Sequence, residues 1–164
     1  RSRVLRVSSR VRFCMILRVH SVVAAVYRVN MSRQIRILEL SDVTLVHEFS
    51  RRGLREKISN EMEREMFSWN AAWREESLRH YLSTGWSVGV FEADELKGYF
   101  LAQPILFMGN LTQVLWIEHL EATLPQDQDL LLDTATRYAR EKHLQSVLQN
   151  HGDWKISEIK TTKR

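Results

Sequence analysis

Apolar and polar residues alternate through Arg33–Leu40 (RQIRILEL), the pattern of a strand with one buried face. Ser41 and Asp42 follow as N-cap residues for a helix on which Val43, Val46 and Phe49 recur at three-residue spacing, with Gly53 as its expected stop. Ile58, Met62, Met66, Trp69 and Trp73 then repeat at helical spacing and read as a core-facing stripe, while Leu78, Tyr81 and Leu82 form a second apolar patch before Gly85. After Gly85 the period falls to two. Trp86–Phe91, Leu96–Gln103 continued by Ile105–Met108, and Leu111–Ala122 are separated by the turns Glu92–Glu95 and Gly109-Asn110, which predicts an antiparallel meander of three strands. Pro104 cannot donate to a ladder and marks a bulge or an edge within the middle strand. Beyond Pro125, Leu131, Ala135, Tyr138 and Ala139 share a helix face, and Leu144–Leu148 reads as a short strand. Residues 151–164 carry only a weak pattern and are expected to be a tail or a last partial strand.

A chain of 164 residues has room for one domain, and 44% hydrophobic with 27% charged residues is a globular composition that excludes disorder as the default. The net charge of +4 is unevenly placed. Residues 1–30 hold seven arginines and no Asp, Glu or Lys, so the remainder has 17 basic side chains against 20 acidic ones. A nucleic-acid-binding reading therefore rests on this arm alone, and none is expected for the core. The arm fits an organelle transit peptide, a basic segment that touches nucleic acid or anionic lipid, or a stretch foreign to a protein that starts at Met31. It is expected to lie outside the fold, which then runs over residues 31–150. The longest uncharged stretch in the arm, Val19–Tyr27, is nine residues long, against the roughly 20 of a membrane span. No membrane association is expected. The single cysteine, Cys14, fits a reducing, cytoplasmic setting.

The order strand, helix, helix, three-strand meander, helix, strand resembles that of the GNAT acyltransferases. Ile35–Asp42 resembles their first strand and acidic helix cap, and Val90–Phe100 resembles their second hairpin, in which a glycine and an aromatic (Gly98-Tyr99) open the third strand. Leu115–Ala122 resembles their fourth strand, and Leu130–His143 their third helix. The resemblance implies an α/β fold with a mixed, mostly antiparallel sheet flanked by helices, and with its C-terminal elements shortened. It also implies an N-acetyltransferase that uses acetyl-CoA as cosubstrate on an amine of a small molecule or protein. In that family the fourth strand splays from the fifth and the pantetheine arm lies in the gap. This would put Leu120 and Ala122 against the cofactor through their backbones, with Gln126 and Gln128 at the diphosphate, and would give the base role to Glu118 or Glu121.

The sequence departs from the family at the diphosphate loop, where Thr123–Asp129 (TLPQDQD) has no glycine, no arginine and no lysine and is shorter than the family's. Asp127 and Asp129 would stabilise the N-terminus of the following helix and repel a diphosphate there. An alternative is a GNAT-like binding or regulatory domain that has lost that loop. Extrapolated alternation puts Ile117, His119 and Glu121 on one face of the fourth strand, and Trp116, Glu118 and Leu120 on the other. His119 and Glu121 form a pair too small for a structural zinc site, which usually has four ligands, so no metal is expected. No Gly-x-Ser-x-Gly is present, and Cys14 lies outside the domain. The oligomeric state is not legible in the sequence.

Overall fold

A computed structural model describes residues 33–108, 110–152 and 155–159; the expectations for the arm 1–30, Cys14 and the start at Met31 fall outside them. Strand β1 (Arg33–Ile37) leads through a single 3-10 turn (Leu40–Asp42) into α1 (Val43–Lys57), α2 (Glu61–Trp69) and α3 (Glu75–Ser83). The meander follows as β2 (Val88–Glu92), β3 (Glu95–Met108) and β4 (Leu111–Ala122), then α4 (Pro125–Glu141), β5 (Ser146–Asn150) and β6 (Ile156–Glu158). The six strands form one sheet in sequence order. Pairs β2/β3, β3/β4 and β5/β6 are antiparallel and β4/β5 is parallel. This is the mixed, mostly antiparallel sheet expected, with a terminal strand where a weak tail stood.

The sheet is covered on both faces. Leu38, Val46, Leu78, Tyr99 and Leu101 pack together under α1 and α3, while Val90, Phe100, Leu115, Ile117, Leu131 and Ala135 pack under α4. The turn Ala93-Asp94 has φ of 48° and 66°, the left-handed pair of a two-residue hairpin whose twist suits its strands. Pro104 pairs opposite Leu115 beyond the point where β2 stops accompanying β3, so it sits on a one-sided stretch.

Four local expectations are corrected. Asp42 gives no side-chain cap to α1; its carboxylate accepts the Glu39 amide at 2.9 Å and two bonds from Arg36 at 2.7 Å. Gly53 does not end α1, which continues to Lys57. The Met/Trp stripe does not face the core: Met62, Met66 and Trp69 are exposed and Trp73 alone of the five is buried, because the chain turns at residues 70–74 and starts a new helix. The fourth is the face assignment on β4. In its ladder with β3, Leu101 pairs with His119 and Ala102 with Ile117, so Glu118 is an extra residue in β4. A bulge of this kind bends its strand and shifts the alternation by one. Leu115 and Ile117 therefore share the α4 face with Leu120 and Ala122, whereas His119 and Glu121 turn toward α1.

Candidate functional site

The bulge opens the sheet. Parallel pairing of β4 with β5 spans Val114–Ile117 against Ser146–Gln149 and ends there, while β4 runs on to Ala122. Residues 118–122 keep β3 on one side, and the first three of them, Glu118–Leu120, border a cleft of about 840 Å³. Leu54, Trp73, Glu118, His119, Leu120 and Asn150 line it, as does Gln128 from α4.

Of the residues expected at a site, Glu118, Leu120 and Gln128 reach this cleft. Both Glu118 oxygens are engaged: Trp116 Nε1 donates to Oε2 at 2.6 Å and Asn150 Nδ2 to Oε1 at 3.2 Å, which ties the bulge to the end of β5. Glu121 and Ala122 line a separate pocket of about 260 Å³ beside α1. Gln126 is exposed near the start of α4.

Glu121 sits in a network that crosses three elements. Ser50 Oγ, from α1, donates to Glu121 Oε2 at 2.7 Å, and the Tyr99 hydroxyl, from β3, is bonded to the same Ser50 oxygen. An ionised carboxylate only accepts, so Ser50 spends its proton on Glu121 and Tyr99 donates to Ser50. His119 Nε2 lies 3.6 Å from Glu121 Oε2, an ion-pair distance rather than a hydrogen bond, and Lys57 Nζ lies 3.8 Å from Oε1. Burial alone would raise the Glu121 carboxyl, but His119 and Ser50 on the carboxylate, with the Lys57 charge, outweigh it and hold the group below its ordinary value. Burial, and then the Glu121 charge, push the Tyr99 hydroxyl well above its ordinary value, which keeps it a donor.

Gly53 makes this arrangement possible. A Cβ there would meet Glu121 Oε1 at 2.6 Å, closer than real side chains approach, so α1 lies over the carboxylate in this position only while residue 53 has no side chain to push it aside.

Thr123 and Leu124 alone join β4 to α4. The new helix has Pro125 in its first turn, and the amides of Asp127 and Gln128 both donate to the Leu124 carbonyl. Proline has no N–H, so among the first four residues Gln126 is left to present one to a ligand. Asp127 is fully buried in that turn, and of the two aspartates expected at the helix N-terminus Asp129 lies exposed beyond the first turn. Among the described residues no three His, Cys, Asp or Glu side chains group to hold a metal, and no helix is long and apolar enough to cross a membrane.

Ser50, Tyr99 and Gly53 were not marked by the sequence as site residues. A serine and a glycine three apart in a helix carry no chemical signature until the partner strand is in place.

No protein-family model matches the sequence, and no curated protein matches it. Solved structures do. The chain is similar to the PaiA N-acetyltransferase of Thermoplasma acidophilum, solved in complex with coenzyme A, at 20% identity over 75% of this chain and 82% of that one, with a TM-score of 0.57. It is similar to the Drosophila melanogaster polyamine N-acetyltransferase that forms N-acetylagmatine at 10% identity, over 71% and 75% of the two chains, with a TM-score of 0.55. A probable acetyltransferase from Staphylococcus epidermidis is 18% identical over 71% and 72%, with a TM-score of 0.53. The sheet order, the splayed fourth strand and these likenesses together identify the fold of this chain as that of the GNAT N-acetyltransferases.

Proposed function

We propose that the protein is an N-acyltransferase that moves an acetyl group from acetyl-CoA to an amine. The observation that carries this reading is the bulge at Glu118, which frees one edge of β4 from β5 beside a cleft of about 840 Å³. That volume falls in the range of about 300–1,000 Å³ typical of small-molecule sites. The backbone groups at Leu120 and Ala122 would hold the pantetheine arm, and the exposed Gln126 and Gln128 would face the diphosphate. Acyl transfer needs a free amine nitrogen, so a base must accept the ammonium proton directly or through water; Glu118 and Glu121 are the candidate carboxylates on β4. The acceptor is an amine on a small molecule or protein, agmatine and polyamines being the first probes because the Drosophila neighbour acetylates agmatine. With its single cysteine, such an enzyme suits the cytoplasm.

A second reading is a binding or regulatory domain that no longer uses acetyl-CoA. It is favoured by the two-residue link before α4 and its first-turn proline, which together leave few donors where a diphosphate would rest. Thiol release from acetyl-CoA, measured with agmatine, spermidine and lysyl peptides, separates the two. Acetylated product by mass spectrometry supports the enzyme, and no thiol release with any of them supports the binding domain.

A further inference from the structure

Resting on the acyl-transfer reading, we propose that His119, rather than either glutamate, is the general base of this site, and that Glu121 and Ser50 position it. The bulge at Glu118 decides the matter. It rotates His119 to the α1 side of β4, where the ring lies against Tyr99 at 5.6 Å between centroids and still lines the cleft. The imidazole is 29% exposed, but its Nε2 atom is buried and faces Glu121 Oε2 at 3.6 Å. With a proton on Nε2 toward the carboxylate, the lone pair is on Nδ1.

The two glutamates are less suited to the task. Glu118 has each oxygen occupied by a donor, Trp116 or Asn150, and so clamps the mouth of the cleft. Glu121 lines the pocket on the other side of α1, accepts the Ser50 proton and is held by Gly53 above it. Its carboxylate lies 3.6 Å from His119 Nε2, close enough to stabilise the imidazole electrostatically once it is protonated. The ionisable groups around the ring are Glu121 on its own strand, Tyr99 from β3 and Lys57 from α1 beside Glu121, with Glu118 and His151 on the same cleft.

The proton balance is complete. His119 Nδ1 takes one proton from the substrate ammonium and passes it to water. The amine nitrogen then bonds to the thioester carbonyl carbon, the C–S bond breaks, and the second proton lost by nitrogen goes to the leaving thiolate. The products are the amide, coenzyme A and one released proton.

The test is kcat for thiol release from acetyl-CoA in the wild type, His119→Ala, Glu118→Gln and Glu121→Gln, with melting curves to verify folding and with imidazole added. His119→Ala should lose about 10²–10⁴ in kcat, and imidazole should restore turnover in proportion to its neutral form, which a merely structural histidine would not allow. Glu121→Gln should lower kcat with the KM for acetyl-CoA unchanged, and Glu118→Gln should act mainly on KM. An active wild type whose kcat survives His119→Ala overturns this inference alone, as does a loss that falls on Glu118→Gln instead. A folded wild type that releases no thiol with any amine probe overturns the acyl-transfer reading, and the base assignment with it.

Discussion

At Gly53 the helix and the site compete, and replacement by alanine separates their contributions. In an unhindered helix interior the change would stabilise by about 1 kcal/mol, because glycine is the poorer helix former. Here the new Cβ would stand 2.6 Å from Glu121 Oε1, whereas ordinary contact begins near 3.4 Å, so the carboxylate must retreat by about 0.8 Å. That movement disrupts the bond from Ser50 Oγ to the same carboxylate. A hydrogen bond to a charged group contributes about 1.5–3 kcal/mol, so Gly53→Ala should be destabilising by about 0.5–2 kcal/mol net. With Glu121→Ala already in place the obstacle is gone, and the same substitution should stabilise by about 1 kcal/mol. Urea denaturation of the four proteins of this double-mutant cycle reads both signs. A Gly53→Ala change that stabilises equally in both backgrounds would refute the close contact, and with it the placement of Glu121 under α1.

The Arg36 guanidinium on Asp42, working against burial and helped by the Glu39 amide, holds that carboxyl below its ordinary value, so its contribution to stability is present above about pH 4 and fades as pH falls through the folded-state pKa. Asp42→Asn should therefore cost about 1.5–3 kcal/mol at neutral pH, toward the lower end because Arg36 is partly exposed, and its deficit should shrink in acid; a pH-independent deficit in denaturation curves would contradict the pairing. Met66→Gln, on the exposed face of α2, should change stability by no more than about 0.5 kcal/mol, whereas Leu78→Ala in the core should cost about 2–5 kcal/mol in the same assay. Equal costs would restore the core-facing reading of the α2 stripe.

The strands were legible because their alternation is a direct record of a sheet with distinct faces, and α4 because Leu131, Ala135 and Ala139 are all buried on one side. Two features escaped for different reasons. Helical spacing from Ile58 to Trp73 persists whether or not one helix is formed, and it is blind to the turn that leaves Met62, Met66 and Trp69 exposed. The bulge at Glu118 has no compositional mark, so alternation extrapolated across it put Ile117 and His119 on one face when they lie on opposite ones. Alternation beyond the bulge is intact, which is why His119 and Glu121 were correctly read as sharing a face. Gly53 was ambiguous in kind: glycine signals either a helix stop or a close approach, and only the position of Glu121 shows that it is the latter here.

If acetyl-CoA enters the gap between β4 and β5, amide hydrogen exchange with and without saturating acetyl-CoA will show it most directly. Exchange should slow in Glu118–Ala122 and at the end of β5, with β1, which does not border the cleft, unchanged. Unaltered exchange in Glu118–Ala122, or protection confined to α1 and α2, would contradict it.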